Sequence, residues 1–210
     1  MMDEVRERAR PYFEDASPAH DWHHVRRVAR LAETLVDEQD RAIDEDVLFA
    51  AVWLHDIGRT KEDRGEIADH AEWGAREAGQ ILRDLDAAAD TAEAVQHCIR
   101  AHRYSNDVDP ATPEAELLSD ADNLDALGAV GIARVFSYGG ELGQPLHDPD
   151  LPPEADDSDS GATQLNHVHE KILSLRDRMY TEPGRELAEA RHDYVVAFAE
   201  RFEREAAGER

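Results

Sequence analysis

The sequence predicts an all-α fold built as one domain, and three observations predict it. Apolar residues recur at spacings of three, four and seven along most of the 210 residues, the period of an amphipathic helix. No segment alternates apolar and polar residues as a half-buried strand would. Several runs also begin with residues suited to a helix start and end with glycine.

Helices are expected at about 3–14, 18–39, 45–57, 69–85, 91–104, 113–125, 128–138, 163–180 and 184–206. The second opens at Ser17-Pro18, a capping side chain before a proline suited to the first helical position. The third carries two neighbouring apolar stripes and stops at Gly58; the fourth is striped by Gly74, Ala78, Ile81 and Leu85. Asp90 and Glu93 give the fifth capping-box spacing, and Thr112-Pro113 opens the sixth. Gly128 separates the sixth from the seventh, which Gly139-Gly140 closes. Residues 139–162, rich in Pro, Gly, Asp and Ser, are expected to form an acidic, solvated, mobile loop before the C-terminal helices of 163–206. The whole of 1–210 is expected to be one domain with its core in about 18–138.

Charge narrows the function. There are 48 acidic and 23 basic residues, a formal net charge of -25, and lysine occurs only at positions 61 and 171. Such a field repels nucleic acid and anionic membranes, so neither is an expected partner. The Asp/Glu-rich, Lys-poor pattern resembles that of proteins from salt-loving organisms, where a Debye length of roughly 3 Å at 1 M quenches self-repulsion. Cys98 is the only cysteine, which excludes an intramolecular disulfide and suits a reducing compartment. With no apolar signal core and no run of 18 apolar residues, a cytoplasmic location is expected.

Helical phase sorts the 11 histidines. His24 shares a stripe with Val28, Leu31 and Leu35, whereas His23 falls with Arg27, Arg30 and Thr34 on a solvent face. His55 continues the stripe of Val47 and Ala51, and Asp56 that of Leu48 and Val52. His70 heads the stripe of its helix, His102 follows Val95, Cys98 and Ile99, and Asp122 follows Ala115 and Leu118. Asp120 goes with Glu116 and Asn123 on a more polar face. Each alone is explained by a hydrogen-bonded core histidine or a helix-end carboxylate. Together, burying them independently multiplies the desolvation cost, and one shared metal ion removes it. Imidazole with carboxylate suits Mn, Fe, Co, Ni or Zn, and a lone cysteine excludes a thiolate zinc site. A plain helical scaffold would instead leave His24, His55 and Asp122 more than about 8 Å apart, too far to share an ion.

The chain resembles the HD superfamily of metal-dependent phosphohydrolases on "HHVRRV", "LHDIGR" and "DADNLDALG". More narrowly it is similar to small single-domain HD hydrolases on "IRAHRYS", "DADNLDALGAVGIARVF" and "EKILSLRDRMYTEPGRELAEAR". The resemblance spans nearly the whole chain outside 139–162 and implies an HD-type helical bundle. It places four metal ligands on His24, His55, Asp56 and Asp122, with Asp56 and Asp122 also able to accept a proton. His70 and His102 match histidines that hold a second metal or contact a phosphate in some branches. His20 and Asp21, although they too read His-Asp, are expected to orient His24 rather than bind the ion. Val168 and Asn123 depart from the pattern, where an aromatic residue and arginine are common.

The implied activity is hydrolysis of a phosphate ester or anhydride, most often of a nucleotide, by water activated on Mn, Fe, Co or Ni, with Mg also admitted. No cyclic-dinucleotide "GYP" motif is present, which leaves nucleoside triphosphate pyrophosphohydrolase, favoured by the C-terminal motifs, and nucleotide phosphomonoesterase. Arg27, Arg59, Lys61, Arg103 and Lys171 are the candidate substrate cations. The competing reading is a non-catalytic HD module that binds a nucleotide and signals to a partner.

Overall fold

The computed structural model describes residues 1–103 and 108–209, so Tyr104 and Ser105, which end the expected helix 91–104 and the "IRAHRYS" motif, lie outside the described residues. Among those described, every regular element is helical. The α-helices are α1 (Met2–Ala9), α2 (Trp22–Asp37), α3 (Glu45–Leu54), α4 (Arg59–Asp63) and α5 (His70–Asp84), followed by α6 (Ala89–Ala101), α7 (Pro113–Asp125), α8 (Gly128–Glu141), α9 (Gln164–His167) and α10 (Glu182–Ala206). They fall into two compact units, Met1–Asp122 and Asn123–Arg210.

In the first unit α3 is packed by α1, α2 and α6, and α6 also lies along α5. That position explains why α3 is apolar nearly all round: Val47, Leu48, Ala50, Ala51, Val52 and Leu54 are all buried. Asp44 caps it by accepting from the Val47 amide at 3.2 Å. α2 is shorter than expected because Asp21, not Ser17, is its cap. The Asp21 carboxylate accepts from the amides of His23 and His24 at 2.9 and 3.0 Å, while Ser17–His20 close a turn through the His20 amide and the Ser17 carbonyl. Asp90 and Glu93 do not cap α6, which starts at Ala89 with no side-chain cap.

Gly58 is required for a different reason from a helix stop. α3 already ends at Leu54, and a Cβ at Gly58 would lie 2.6 Å from the His70 carbonyl oxygen. Glycine therefore lets the turn after α3 press against the first residue of α5.

In the second unit α8 packs on α10, with the rings of Phe136, Phe198 and Phe202 5.8–6.0 Å apart. α8 runs past Gly139-Gly140 to Glu141, and Gly143, at φ 69°, ends it while the Gln144 amide donates to the Gly139 carbonyl at 2.9 Å. The acidic segment is not simply solvated chain. The Asp156 carboxylate accepts from the Ser158 hydroxyl and amide, the Ala162 amide and the Asn166 side chain, at 2.6–3.0 Å. Those donors, the Ser158 hydroxyl first, hold its carboxyl well below the usual range. The expected helix at 163–180 is α9, a π-helical turn (Val168–Ile172) and a 3-10 segment (Leu173–Arg178) in succession.

Candidate metal centre

Helix ends build the centre, all within the first unit. Asp21 fixes the first turn of α2 and with it His24. His55 and Asp56 occupy the turn that leaves α3. His70 is the first residue of α5, whose cap Asp69 accepts from the amides of Ala71 and Glu72 at 2.8 and 3.1 Å. His102 follows the last turn of α6, and Asp122 lies in α7. Loop and helix-end placement leaves each side chain free to turn inward while its backbone stays tied.

Three rings have their tautomer set from behind. His55 Nδ1 donates to the Val52 carbonyl at 2.8 Å, His102 Nδ1 to the Ile99 carbonyl at 2.6 Å, and His70 Nδ1 to the Glu62 carboxylate at 2.8 Å. In each neutral ring the proton then sits on Nδ1, and Nε2 offers a lone pair. Those lone pairs meet other ring nitrogens. His55 Nε2 lies 3.4 Å from His24 Nε2, and His70 Nε2 lies 3.4 Å from His102 Nε2.

The carboxylates complete two groups that share Asp56. Asp122 Oδ1 is 3.4 Å from His24 Nε2 and 4.0 Å from His55 Nε2. Asp56 Oδ2 is 3.5 Å from His24 Nε2 and 3.8 Å from His55 Nε2, while its Oδ1 is 3.3 Å from His70 Nε2 and 3.8 Å from His102 Nε2. The ligand-type atoms of His24, His55 and Asp122 all lie within 4.8 Å of one another, as do those of Asp56, His70 and His102. That is far inside the separation a plain scaffold would tolerate.

These separations fit an ion better than a hydrogen-bonded core. Two ligands each about 2.0–2.2 Å from one ion, at right-angle to tetrahedral spacing, lie roughly 2.8–3.6 Å apart, which takes in the 3.3–3.5 Å pairs. Direct N–H···O bonds would be shorter, near 2.9–3.0 Å. The set is acceptor-rich, buried and lacks a thiolate, which suits a divalent cation of the Mn–Ni series.

Electrostatics keeps His55 neutral and Asp56 and Asp122 ionised. Burial pushes His55 down to about 4, even against the pull of Asp56 and Asp122. Burial works to raise Asp56 and Asp122, but His55 and the surrounding imidazoles outweigh it for Asp56, and His24 leads the same effect for Asp122, so both carboxyls fall below their usual range. For His102 burial is again opposed, by Asp56 first, and its pKa rises. His24, His55, His70 and Asp56 are nearly sealed; Asp122, with 26% of its side chain exposed, and His20, with 17%, face the open side.

The remaining expected residues fall out unevenly. His20 Nδ1 lies 3.5 Å from Asp56 Oδ2, so His20 touches the centre itself and groups with His24 and Asp56. Asp21 acts on His24 through its backbone amide. His23 is exposed, as expected, whereas Asp120 is fully buried, contrary to the polar face expected for it. Arg59 lies against Glu62 and Asp63 at 3.5 and 3.4 Å, and Lys61 pairs with Glu66 at 3.3 Å over the Trp73 ring. Arg103 pairs with Glu62 at 2.7 Å and reaches Asp69 at 3.8 Å. Arg27 is half-buried on α2, and Lys171 lies in the π-helical turn of the second unit. Glu62, which accepts from both His70 and Arg103, was not legible: no stripe or spacing links it to a histidine eight residues on.

Comparison with known proteins gives a consistent picture. The profile of the HD domain family matches residues 21–127. The uncharacterized protein YpgQ of Bacillus subtilis is 31% identical over 212 residues, covering 99% of this chain and 95% of its own. A crystal structure of YpgQ in complex with ADP superposes with a TM-score of 0.75 at 28% identity, over 98% of this chain and 97% of the other. An HD-superfamily hydrolase from Bacillus thuringiensis superposes with a TM-score of 0.75 at 32% identity, over 98% and 96%.

Proposed function

The chain belongs to the HD domain family, and on that footing we propose that it is a divalent-metal-dependent phosphohydrolase acting on a nucleotide. The observation that carries the reading is the convergence of imidazole Nε2 atoms and ionised carboxylates at 3.3–3.8 Å, a donor set suited to a cation. His24, His55, Asp56 and Asp122 are the residues that would hold the ion. His70 and His102, facing the other oxygen of Asp56, would hold a second ion or contact the substrate phosphate. Mn, Fe, Co or Ni suits this donor set, with Mg also admitted.

Such an ion supplies Lewis acidity, lowering the pKa of water and offsetting charge on the phosphoryl group. The chain's own residues do the rest. Backbone carbonyls and Glu62 keep the imidazoles in the tautomer that presents Nε2. Asp56 and Asp122 are kept ionised and can accept a proton, and Asp122 stands on the exposed side where water and substrate arrive. Arg103, with Arg27, Arg59 and Lys61, is assigned to the substrate's negative charge, which a protein of net charge -25 must offset locally.

The nucleotide class is supported by the ADP held in the YpgQ structure and by the C-terminal motifs, which favour a nucleoside triphosphate pyrophosphohydrolase over a phosphomonoesterase. A non-catalytic nucleotide-binding module would share the ADP observation, so turnover decides between them. A nucleotide panel crossed with Mn, Co, Ni and Mg in molar salt, read by product mass, should give metal-dependent release of phosphate or pyrophosphate. Binding without product would establish the module instead, and neither binding nor product would overturn both.

A further inference from the structure

Glu62 belongs to α4, a single short turn after the His55–Asp56 turn, and three donors lie within 3.2 Å of its carboxylate, with Arg59 Nη1 farther off at 3.5 Å. Oε2 accepts from His70 Nδ1 at 2.8 Å, and Oε1 accepts from the His70 amide at 3.2 Å and from Arg103 Nη1 at 2.7 Å. His55 and His102 are oriented differently, by carbonyls of their own helices three residues back. His70 has no such carbonyl behind it, because it is the first residue of α5 and its preceding chain is not helical. Something outside its helix must take the Nδ1 proton, and Glu62 is what the structure supplies. A carboxylate behind an imidazole also makes Nε2 a stronger donor of its lone pair than a carbonyl does.

The same carboxylate holds Arg103, the residue after His102. Glu62 thus ties the start of α5 to the chain that follows α6, the two places from which His70 and His102 face one another. Burial works to raise this carboxyl, but the hydrogen bond from His70 leads the opposing effects and holds it at about 2, so it remains a charged acceptor.

We propose that Glu62 is the positioning residue for the His70–His102 side of the centre, fixing the His70 ring with Nε2 toward Asp56 while seating the Arg103 guanidinium beside it. This rests on the hydrolase reading for its consequence, because the position so prepared is the one assigned to a second ion or a substrate phosphate. Glu62 touches neither. It acts through His70 and Arg103.

The test uses full-length wild type, Glu62→Ala and Glu62→Gln. Imidazole nitrogen shifts recorded by NMR in chelator at mildly alkaline pH report each ring's tautomer without metal or substrate. Wild-type His70 should be the Nδ1–H form, and in Glu62→Ala it should become a tautomer mixture while His55 and His102 keep theirs. Manganese titration should show binding weakened about 10–100-fold in Glu62→Ala, the range for lost partners of this kind. In Glu62→Gln the single amide oxygen can serve His70 or Arg103 but not both, so KM for the nucleotide should rise more than kcat falls. Unchanged His70 shifts and unchanged manganese affinity in Glu62→Ala would overturn the proposal. If that variant does not fold, a Glu62→Gln protein matching wild type in ring shifts, manganese affinity and KM would do the same. Loss of manganese binding in His55→Ala but not in Glu62→Ala removes the role of Glu62 and leaves the hydrolase reading standing. A wild type that binds no metal removes that reading while the tautomer shifts still decide the orientation.

Discussion

Removing the metal, and then removing the residue that both halves of the centre share, should separate an ion site from a hydrogen-bonded core. An ion bound only by the folded state stabilises it by RT ln(1 + [L]/Kd), about 2.7 kcal/mol at a hundredfold excess over Kd. For a chain of 210 residues, one kcal/mol moves Tm by roughly 2–4 °C. Manganese at that excess should therefore raise the melting midpoint of chelator-stripped protein by roughly 5–11 °C. Asp56→Asn should abolish the shift, because Asp56 Oδ2 faces His24 and His55 and Oδ1 faces His70 and His102. The stripped variant should melt within a few degrees of stripped wild type. An amide there can donate N–H to a facing Nε2 lone pair, which offsets the lost charge. A core already satisfied without metal behaves in the opposite way. It would show no manganese shift, and breaking its buried charge pairs would cost about 3–5 kcal/mol. Differential scanning fluorimetry of both proteins across a manganese series measures all four midpoints. A metal-insensitive wild type with a strongly destabilised Asp56→Asn would refute the reasoning.

Acid should dismantle the centre before it reaches the carboxylates. The unfolded chain protonates His55 near 6.5 and the folded chain only near 4, so unfolding takes up a proton between those values. The stability this contributes is complete above pH 6.5 and is lost as pH falls toward 4. It amounts to on the order of 3 kcal/mol, partly offset by His102, whose raised pKa acts in the opposite sense. Glu62 adds a loss only below 4.5, complete near 2; denaturant midpoints of stripped protein from pH 8 to 4 should show the first decline. Gly58→Ala sets a Cβ 2.6 Å from the His70 carbonyl, so the start of α5 must move, at about 1–3 kcal/mol in urea unfolding and with a measurable loss of manganese affinity by calorimetry. A variant with wild-type affinity would show that His70 adjusts independently of the turn. His20→Ala should lower manganese affinity less than tenfold while cutting turnover, because His20 meets Asp56 from the exposed side and Asp56 keeps its other partners. If it removes manganese binding as fully as His55→Ala, His20 is itself a ligand.

How much of this was legible depended on whether the side chain sits on a regular helix. His24 lies in the first turn of α2 and obeys the period of Val28 and Leu35, so its inward direction could be read. His55 and Asp56 lie just beyond α3, close enough for its two stripes to be extrapolated onto them. His20 could not be read in this way. Asp21 caps α2 and places His20 in a turn whose geometry no period describes. Asp120 failed for the reverse reason: a carboxylate near Glu116 and Asn123 looks polar by composition, although both Asp120 and Asn123 are buried. Along α9 and the π and 3-10 turns after it the periodicity was correct in kind but not in pitch, and helix type is a matter of packing that a pattern of apolar residues does not encode.

The candidate substrate cations were harder to read than the metal-type ligands, and the reason is chemical. A ligand histidine has to be inside, so burial and phase constrain it. A substrate arginine has to remain near solvent, where neither does. In a chain with 48 carboxylates, a surface cation also meets an anion almost wherever it lies, as Arg59, Lys61 and Arg103 do. Pairing by itself therefore cannot mark a substrate contact. What distinguishes Arg103 is its short 2.7 Å bond to Glu62, the partner of His70, so displacing Arg103 toward a phosphate and reorienting a ring of the centre are coupled. Arg59 divides between Glu62, at 3.5 Å, and Asp63, at 3.4 Å, and Lys61 meets Glu66. Charge reversal at Arg103 should consequently affect both nucleotide affinity and manganese affinity, whereas reversal at Lys61 should affect the first alone.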